Sequence, residues 1–179
     1  MVIKALRNLR TLGSVAPSSP HLIKKMLADI DFSKEKIIIE FGIGDGCFTK
    51  EILKRLSPKG KLICFEIDKE FCQSARKKFK DDRFVMIEGG AETLTEVLKA
   101  HHLTKVDCVI SSLPLAILPK DLVISILSQV KTFLKKEGMY LQYQYSLANF
   151  KQMKKYFSVV KRKIEVLNIP PAVVYTCHD

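Results

Sequence analysis

A chain of 179 residues with 47% hydrophobic content can bury one sizeable core and is too short for two ordinary domains. Its five cysteines, Cys47, Cys64, Cys72, Cys108 and Cys177, follow neither a metal-ligand spacing nor a disulfide framework, so they read as small buried hydrophobes of a reducing cytoplasm, and no metal is expected. Neither a membrane span nor a secretory leader is expected from the apolar runs. The net charge of +11 favours polyanionic partners, nucleic acid or an anionic membrane face, although lysines such as Lys77, Lys78 and Lys80 also suit a plain solvated helix face.

At the start, Val2, Ile3, Leu6 and Leu9 recur at helical spacing while Lys4, Arg7 and Arg10 fall on other faces, which predicts a short basic amphipathic helix over Met1 to Leu12. It can pack on the core or lie in a membrane interface with its arginines among head groups. Gly13 to Pro20 is a loop or helix start by its Gly, Pro and Ser density, and His21 to Ile30 resumes a helical pattern. His21 suits a surface or capping position better than a ligand.

From Lys34 the pattern alternates without a break. Strands are expected near Ile37, at Leu62 to Phe65, Phe84 to Ile87, Val106 to Ile110 and Met139 to Tyr143, and helices from Phe48, Lys69, Glu92 and Asp121. A further helix, Asn149 to Phe157, and two strands, Val159 to Leu167 and Ala172 to Cys177, complete the chain. Five strand and helix units in a row imply an α/β fold, a doubly wound parallel sheet with helices on both faces.

The chemistry concentrates at the end of the first strand. Gly42, Gly44 and Gly46 form a tight strand-to-helix turn that lets backbone approach a ligand, but Cys47 holds the place of the third glycine of a dinucleotide fingerprint. Glu40, at the end of a buried strand, needs a partner, and a cationic one is expected. Glu66 ends the second strand where α/β folds hydrogen-bond a ribose diol.

The constellation E-x-G-x-G-x-G followed by a strand ending in an acid resembles motif I and the acidic loop of class I S-adenosylmethionine-dependent methyltransferases. The resemblance implies a Rossmann-like sheet of seven mostly parallel strands with an antiparallel C-terminal strand. It also implies S-adenosylmethionine as cofactor: Gly42, Gly44 and Gly46 beside its methionine part, Glu40 at its amino end, and Glu66, next to Ile67, on the ribose. At the third strand's end, where such enzymes often carry G-D-A, this chain has Gly90 in the acid position, which leaves the adenine to Gly90, Ala91 and Glu92.

Four stretches narrow the resemblance: Arg7 to Ser19, S-S-L-P-L-A-I-L-P at Ser111 to Pro119, L-Q-Y-Q-Y at Leu141 to Tyr145, and N-I-P-P-A-V-V-Y at Asn168 to Tyr175. With motif I they are similar to bacterial phospholipid N-methyltransferases that methylate phosphatidylethanolamine. This implies a peripheral enzyme on the cytoplasmic membrane face, with residues 1–32 as a substrate- and membrane-contacting segment and 33–179 as the methyltransferase domain. Ser112 stands where that family usually has glycine, and the first helix has no aromatic residue. Ribosomal RNA adenine dimethyltransferases overlap in sequence, but they show N-L-P-Y where this chain has Ser112, Leu113, Pro114 and Leu115, and they carry an additional helical domain. RNA is therefore the less favoured acceptor, and a non-catalytic cofactor-binding module is the remaining reading.

Methyl transfer to an amine is an in-line displacement by a neutral nucleophile, so the enzyme chiefly aligns two centres and handles one proton. The groups expected to orient the amine are the Ser111 and Ser112 hydroxyls, the backbone at Leu113, and Tyr145, with Tyr143 nearby. Ser18 and Ser19 can bind a lipid phosphate or a cofactor carboxylate from a helix N-terminus, or simply cap that helix.

Overall fold

The computed structural model describes residues 18–34, 36–147 and 149–179. The expected amphipathic helix over the first twelve residues lies outside the described part, as does most of the Arg7 to Ser19 stretch. Seven strands form one sheet in the order β3-β2-β1-β4-β5-β7-β6. They are β1 Ile37–Phe41, β2 Lys61–Glu66, β3 Phe84–Glu88, β4 Val106–Ser111, β5 Leu134–Gln144, β6 Val159–Glu165 and β7 Ala172–His178. The first five run parallel; β7 pairs antiparallel with both β5 and β6, so β6 points the same way as β5.

Helices α1 Pro20–Leu27, α2 Cys47–Arg55, α3 Lys69–Lys78, α4 Leu94–Ala100, α5 Lys120–Phe133 and α6 Phe150–Tyr156 cover the two faces. Ile38, Leu62, Cys64, Ile110 and Leu141 point into a core shared with α1, α2 and α3. Their neighbours Ile39, Ile63, Val109 and Tyr140 point into the other, under α4, α5 and α6. Burial on both faces is why these strands are continuous apolar runs rather than alternating ones.

Local chemistry explains the boundaries. Pro20 opens α1 behind Ser19, whose hydroxyl accepts the Leu22 amide at 3.1 Å. Leu22, Ile23, Met26 and Leu27 are buried, so α1 is part of the main core, packed on α2, β5, β6 and β7. The helix expected from Glu92 begins as a 3₁₀ turn, Ala91–Thr93, because Thr93 returns both its amide and its hydroxyl to the Gly90 carbonyl. Strand β5 begins earlier than the sequence pattern implied, at Leu134, and its pairing with β4 shifts register between Val106 and Cys108. All five cysteines are free.

Candidate active site

The carboxyl ends of β1 to β5 lie along one edge of the sheet, and every residue singled out from the sequence in the turns after these strands falls on it. The glycine turn has the backbone it was expected to have: Gly42, Gly44 and Gly46 have φ of 80°, 56° and 78°. A side chain at Gly42 would also meet Ser112 Oγ at 2.6 Å, so both conformation and space demand glycine there. Gly46 N-caps α2 in the left-handed conformation and aims the helix N-terminus at the same edge.

Glu40 departs from expectation in an informative way. No cation meets it among the described residues. Its Oε2 accepts the Thr49 hydroxyl at 2.7 Å and the Cys64 thiol at 3.2 Å, while Oε1, also buried, has no hydrogen-bond partner. Burial pushes the carboxyl up to about 7, against the two hydrogen bonds that lower it. Burial likewise raises the Cys64 thiol, which stays protonated and able to donate.

Glu66 is held differently. Its Oε1 accepts the amides of Ile67 at 2.9 Å and Asp68 at 3.0 Å, and Oε2 takes the Gly44 amide at 3.4 Å. The second acid is thus tied directly to the glycine turn. Gly90, Ala91 and Glu92 follow β3 at the same edge: Gly89 donates to the Glu66 carbonyl, and Glu92 folds its carboxylate back over Gly90.

Opposite them, Ser112 Oγ lies 2.8 Å from the Gly42 carbonyl and 3.0 Å from that of Phe41, and it binds the loop after β4 to the glycine turn. Ser111 is fully buried and accepts the Leu113 amide at 3.3 Å. Leu115, only 1% exposed, points into the core, so this position offers no stacking surface at the edge.

Tyr143 stacks on Phe48 of α2 with centroids 5.8 Å apart, receives the Ser18 hydroxyl at 3.4 Å, and meets Tyr145 edge-on at 6.0 Å. Tyr145 is 43% exposed. Ser19 is occupied at the helix start, its hydroxyl capping α1 and its amide donating to Asn168 Oδ1 at 2.9 Å. The structure therefore gathers Ser18, Tyr143 and Tyr145 into one group and Ser111, Ser112 and Leu113 into another.

Two glutamines of the L-Q-Y-Q-Y stretch were not singled out from the sequence. Gln142, fully buried, accepts from the Tyr140 hydroxyl at 2.6 Å and donates to the carbonyls of Leu113 at 3.0 Å and Tyr143 at 2.7 Å. It sets the position of the Leu113 backbone. Gln144, 5% exposed, has no partner for either end of its amide. Two polar residues alternating with tyrosines in the buried second half of the strand were the available signal, because a buried amide is retained only where something hydrogen-bonds it.

This turn geometry, with an acid beneath it and a second acid tied to it, occurs in a chain whose residues 16–121 match the MraW methylase family. The chain belongs to that family. It is a class I S-adenosylmethionine-dependent methyltransferase. Over 176 residues the methyltransferase is 30% identical to ornithine lipid N-methyltransferase of Singulisphaera acidiphila, which takes in 97% of this chain and 92% of that protein. Ribosomal RNA small subunit methyltransferase H of Christiangramia forsetii is 35% identical over 92 residues, 51% of this chain and 30% of that protein. In three dimensions the fold is that of precorrin-6y C5,15-methyltransferase from Geobacter metallireducens, with a TM-score of 0.67 at 16% identity, covering 87% of this chain and 86% of that one. Among the described residues no group of three His, Cys, Asp or Glu is placed to hold a metal ion, and no helix is long and apolar enough to cross a membrane.

Proposed function

We propose that this methyltransferase moves a methyl group from S-adenosylmethionine to the primary amine of an aminolipid at a bilayer surface, with ornithine lipid and phosphatidylethanolamine as the two head groups to compare. The observation that carries the reading is the extent of similarity: likeness to the lipid enzyme runs over 97% of the chain, whereas likeness to the RNA enzyme takes in about half of it.

The edge fits the cofactor. Glu40 Oε1 is a buried acceptor without a partner, suited to an ammonium; the glycine turn leaves room for close backbone approach; and Glu66 stands beside it with lone pairs to spare for a diol. We assign Glu40, Gly42, Gly44, Gly46, Glu66 and Ile67 to the cofactor, and Gly90, Ala91 and Glu92 to its base. When bound, S-adenosylmethionine supplies an electrophilic methyl group on a sulfonium. Transfer would break the C–S bond with its electron pair left on sulfur, form the N–C bond at the acceptor amine, and release the amine's proton to solvent.

The chain's own part is alignment. Leu113, with its carbonyl oriented by Gln142, and the hydroxyls of Ser111 and Ser112 lie at the end of β4 and the loop after it, while Tyr143 of β5 and Tyr145 just beyond that strand lie together on the neighbouring strand's side. Gln144 offers an unpartnered amide for the acceptor's polar head, and Ser18 reaches the same region through Tyr143. The basic segment within residues 1–32 fits an anionic surface, which suits a protein working on the inner membrane face.

RNA is the second reading, favoured by the match to ribosomal RNA small subunit methyltransferase H. Labelled cofactor incubated with total membrane lipid beside total RNA decides between them. Label in lipid is expected; label in RNA and none in lipid overturns the aminolipid reading. Binding of cofactor with no turnover on either would leave a non-catalytic module.

A further inference from the structure

The turn between β6 and β7, residues 166–171, reads V-L-N-I-P-P and carries no charge. Because β6 runs parallel to β5, this turn lies at the same carboxyl edge as the glycine turn. Its polarity is inverted. Val166, Leu167 and Ile169 are 68%, 60% and 82% exposed, whereas Asn168 between them is 2% exposed, its side chain accepting the Ser19 amide at 2.9 Å and donating to the Pro170 carbonyl at 2.8 Å. The neighbouring acid is also turned inward: Glu165 pairs with Lys25 at 2.9 Å and accepts the Leu167 amide at 2.9 Å. Polar groups are thus engaged in holding the turn, and aliphatic side chains are left pointing into solvent, an arrangement that costs free energy in water and gains it only where something apolar receives them.

We propose that this turn is a membrane-docking tip that seats the carboxyl edge of the sheet on an anionic bilayer. The proposal rests on the aminolipid reading above, in which the acceptor's amine reaches the site from the membrane. Charge argues for this occupant. From Phe150 to Glu165 the two elements leading into the turn carry six exposed cations, Lys151, Lys154, Lys155, Lys161, Arg162 and Lys163, and one acid, Glu165, which is paired with Lys25. Lys163 pairs with Asp29 across to the end of α1. Aliphatic side chains at the end of cationic elements match the layered chemistry of an anionic bilayer, an apolar interior under a negative surface. An RNA duplex or loop offers phosphates to the cations but nothing to three aliphatic side chains, and the tip has no aromatic residue on which a base could stack. Tyr145, 43% exposed, and Leu147, 52% exposed, follow β5 at the same edge of the sheet. Ser18 and Ser19, held to Tyr143 and Asn168, lie at this edge as well.

Two measurements on the full chain test it. Vesicles of phosphatidylglycerol and phosphatidylethanolamine should sediment the parent protein, and the triple variant Val166→Ser, Leu167→Ser, Ile169→Ser should partition roughly tenfold less or weaker still, with calorimetric cofactor affinity unchanged. Parent-like partition of the triple variant overturns the docking tip. The chain contains no tryptophan, so Leu167→Trp introduces a single reporter. Its emission should shift to the blue on vesicle addition and be quenched by brominated lipid, while Lys136→Trp at the opposite edge should not respond. An unresponsive Leu167→Trp reporter in a protein that sediments with vesicles and methylates lipid removes this inference alone; failure of the parent protein to bind vesicles or label lipid removes the aminolipid reading with it.

Discussion

Ser112 Oγ occupies the space that a side chain on Gly42 would need, 2.6 Å from where that Cβ would stand, and lies 2.8 Å from the Gly42 carbonyl. The two residues are complementary: the serine is admitted because the turn has glycine, and the hydroxyl then ties the turn after β1 to the loop after β4. Gly42→Ala should therefore be destabilising by about 2 kcal/mol or more, combining left-handed strain with the clash. In a Ser112→Gly background the clash is gone and the strain remains, so the same change should cost about 1 kcal/mol less. A double-mutant cycle by denaturant unfolding checks this; strictly additive effects would separate the two positions.

Glu40 makes stability depend on pH. Its folded pKa, pushed up to about 7, lies above the ordinary carboxylate value, so on raising pH the unfolded chain releases the proton first. Without cofactor, stability should fall between the ordinary value and about 7 and then level off, a loss on the order of 3 kcal/mol. Glu40→Gln should abolish that slope and melt higher than the parent at about pH 8. Melting curves of both proteins across this range provide the test, and parallel curves would refute it.

The same carboxyl should link cofactor affinity to pH in the opposite sense. An ammonium pairs with the ionised form, so affinity should weaken as pH falls from about 7.5 to about 5.5, and the dependence should vanish in Glu40→Gln. Isothermal calorimetry at the two pH values measures it.

Glu66 is the acid proposed for the ribose diol, and its backbone bonds to Ile67, Asp68 and Gly44 hold it in place. Glu66→Ala should weaken cofactor binding by roughly ten- to a hundredfold, the loss expected for hydrogen bonds to a charged group. Undiminished affinity would move the diol elsewhere.

Gln142 and Gln144 should respond in opposite ways. Gln142→Leu strands the Tyr140 hydroxyl and frees the Leu113 carbonyl, and should destabilise by about 1 to 3 kcal/mol with a fall in kcat. Gln144→Leu removes an amide with no partner, so stability should hold or rise while kcat/KM for the acceptor falls. Thermal melts set beside acceptor kinetics distinguish the two, and full activity in Gln144→Leu would exclude it from the acceptor site.

Much of this was legible along the chain because it is local. Apolar runs of strand length alternating with helical periodicity dictated the parallel sheet, and glycines at positions 42, 44 and 46 with acids at 40 and 66 marked the turns that the structure gathers at its carboxyl edge. Such patterns reflect constraints within a few residues: φ at a turn, burial on two faces, a helix start. What depends on contacts between distant segments was decided only by the tertiary structure. That Glu40 meets Thr49 and Cys64 rather than a cation, and keeps one buried oxygen unpaired, follows from register between strands and the helix above them. That Ser19 caps α1 and is locked to Asn168, across 149 positions of sequence, could not be read from either segment alone. The insertion of β7 between β5 and β6 is a matter of long-range pairing, and it alone brings an uncharged, outward-facing turn to the edge that carries the glycine turn.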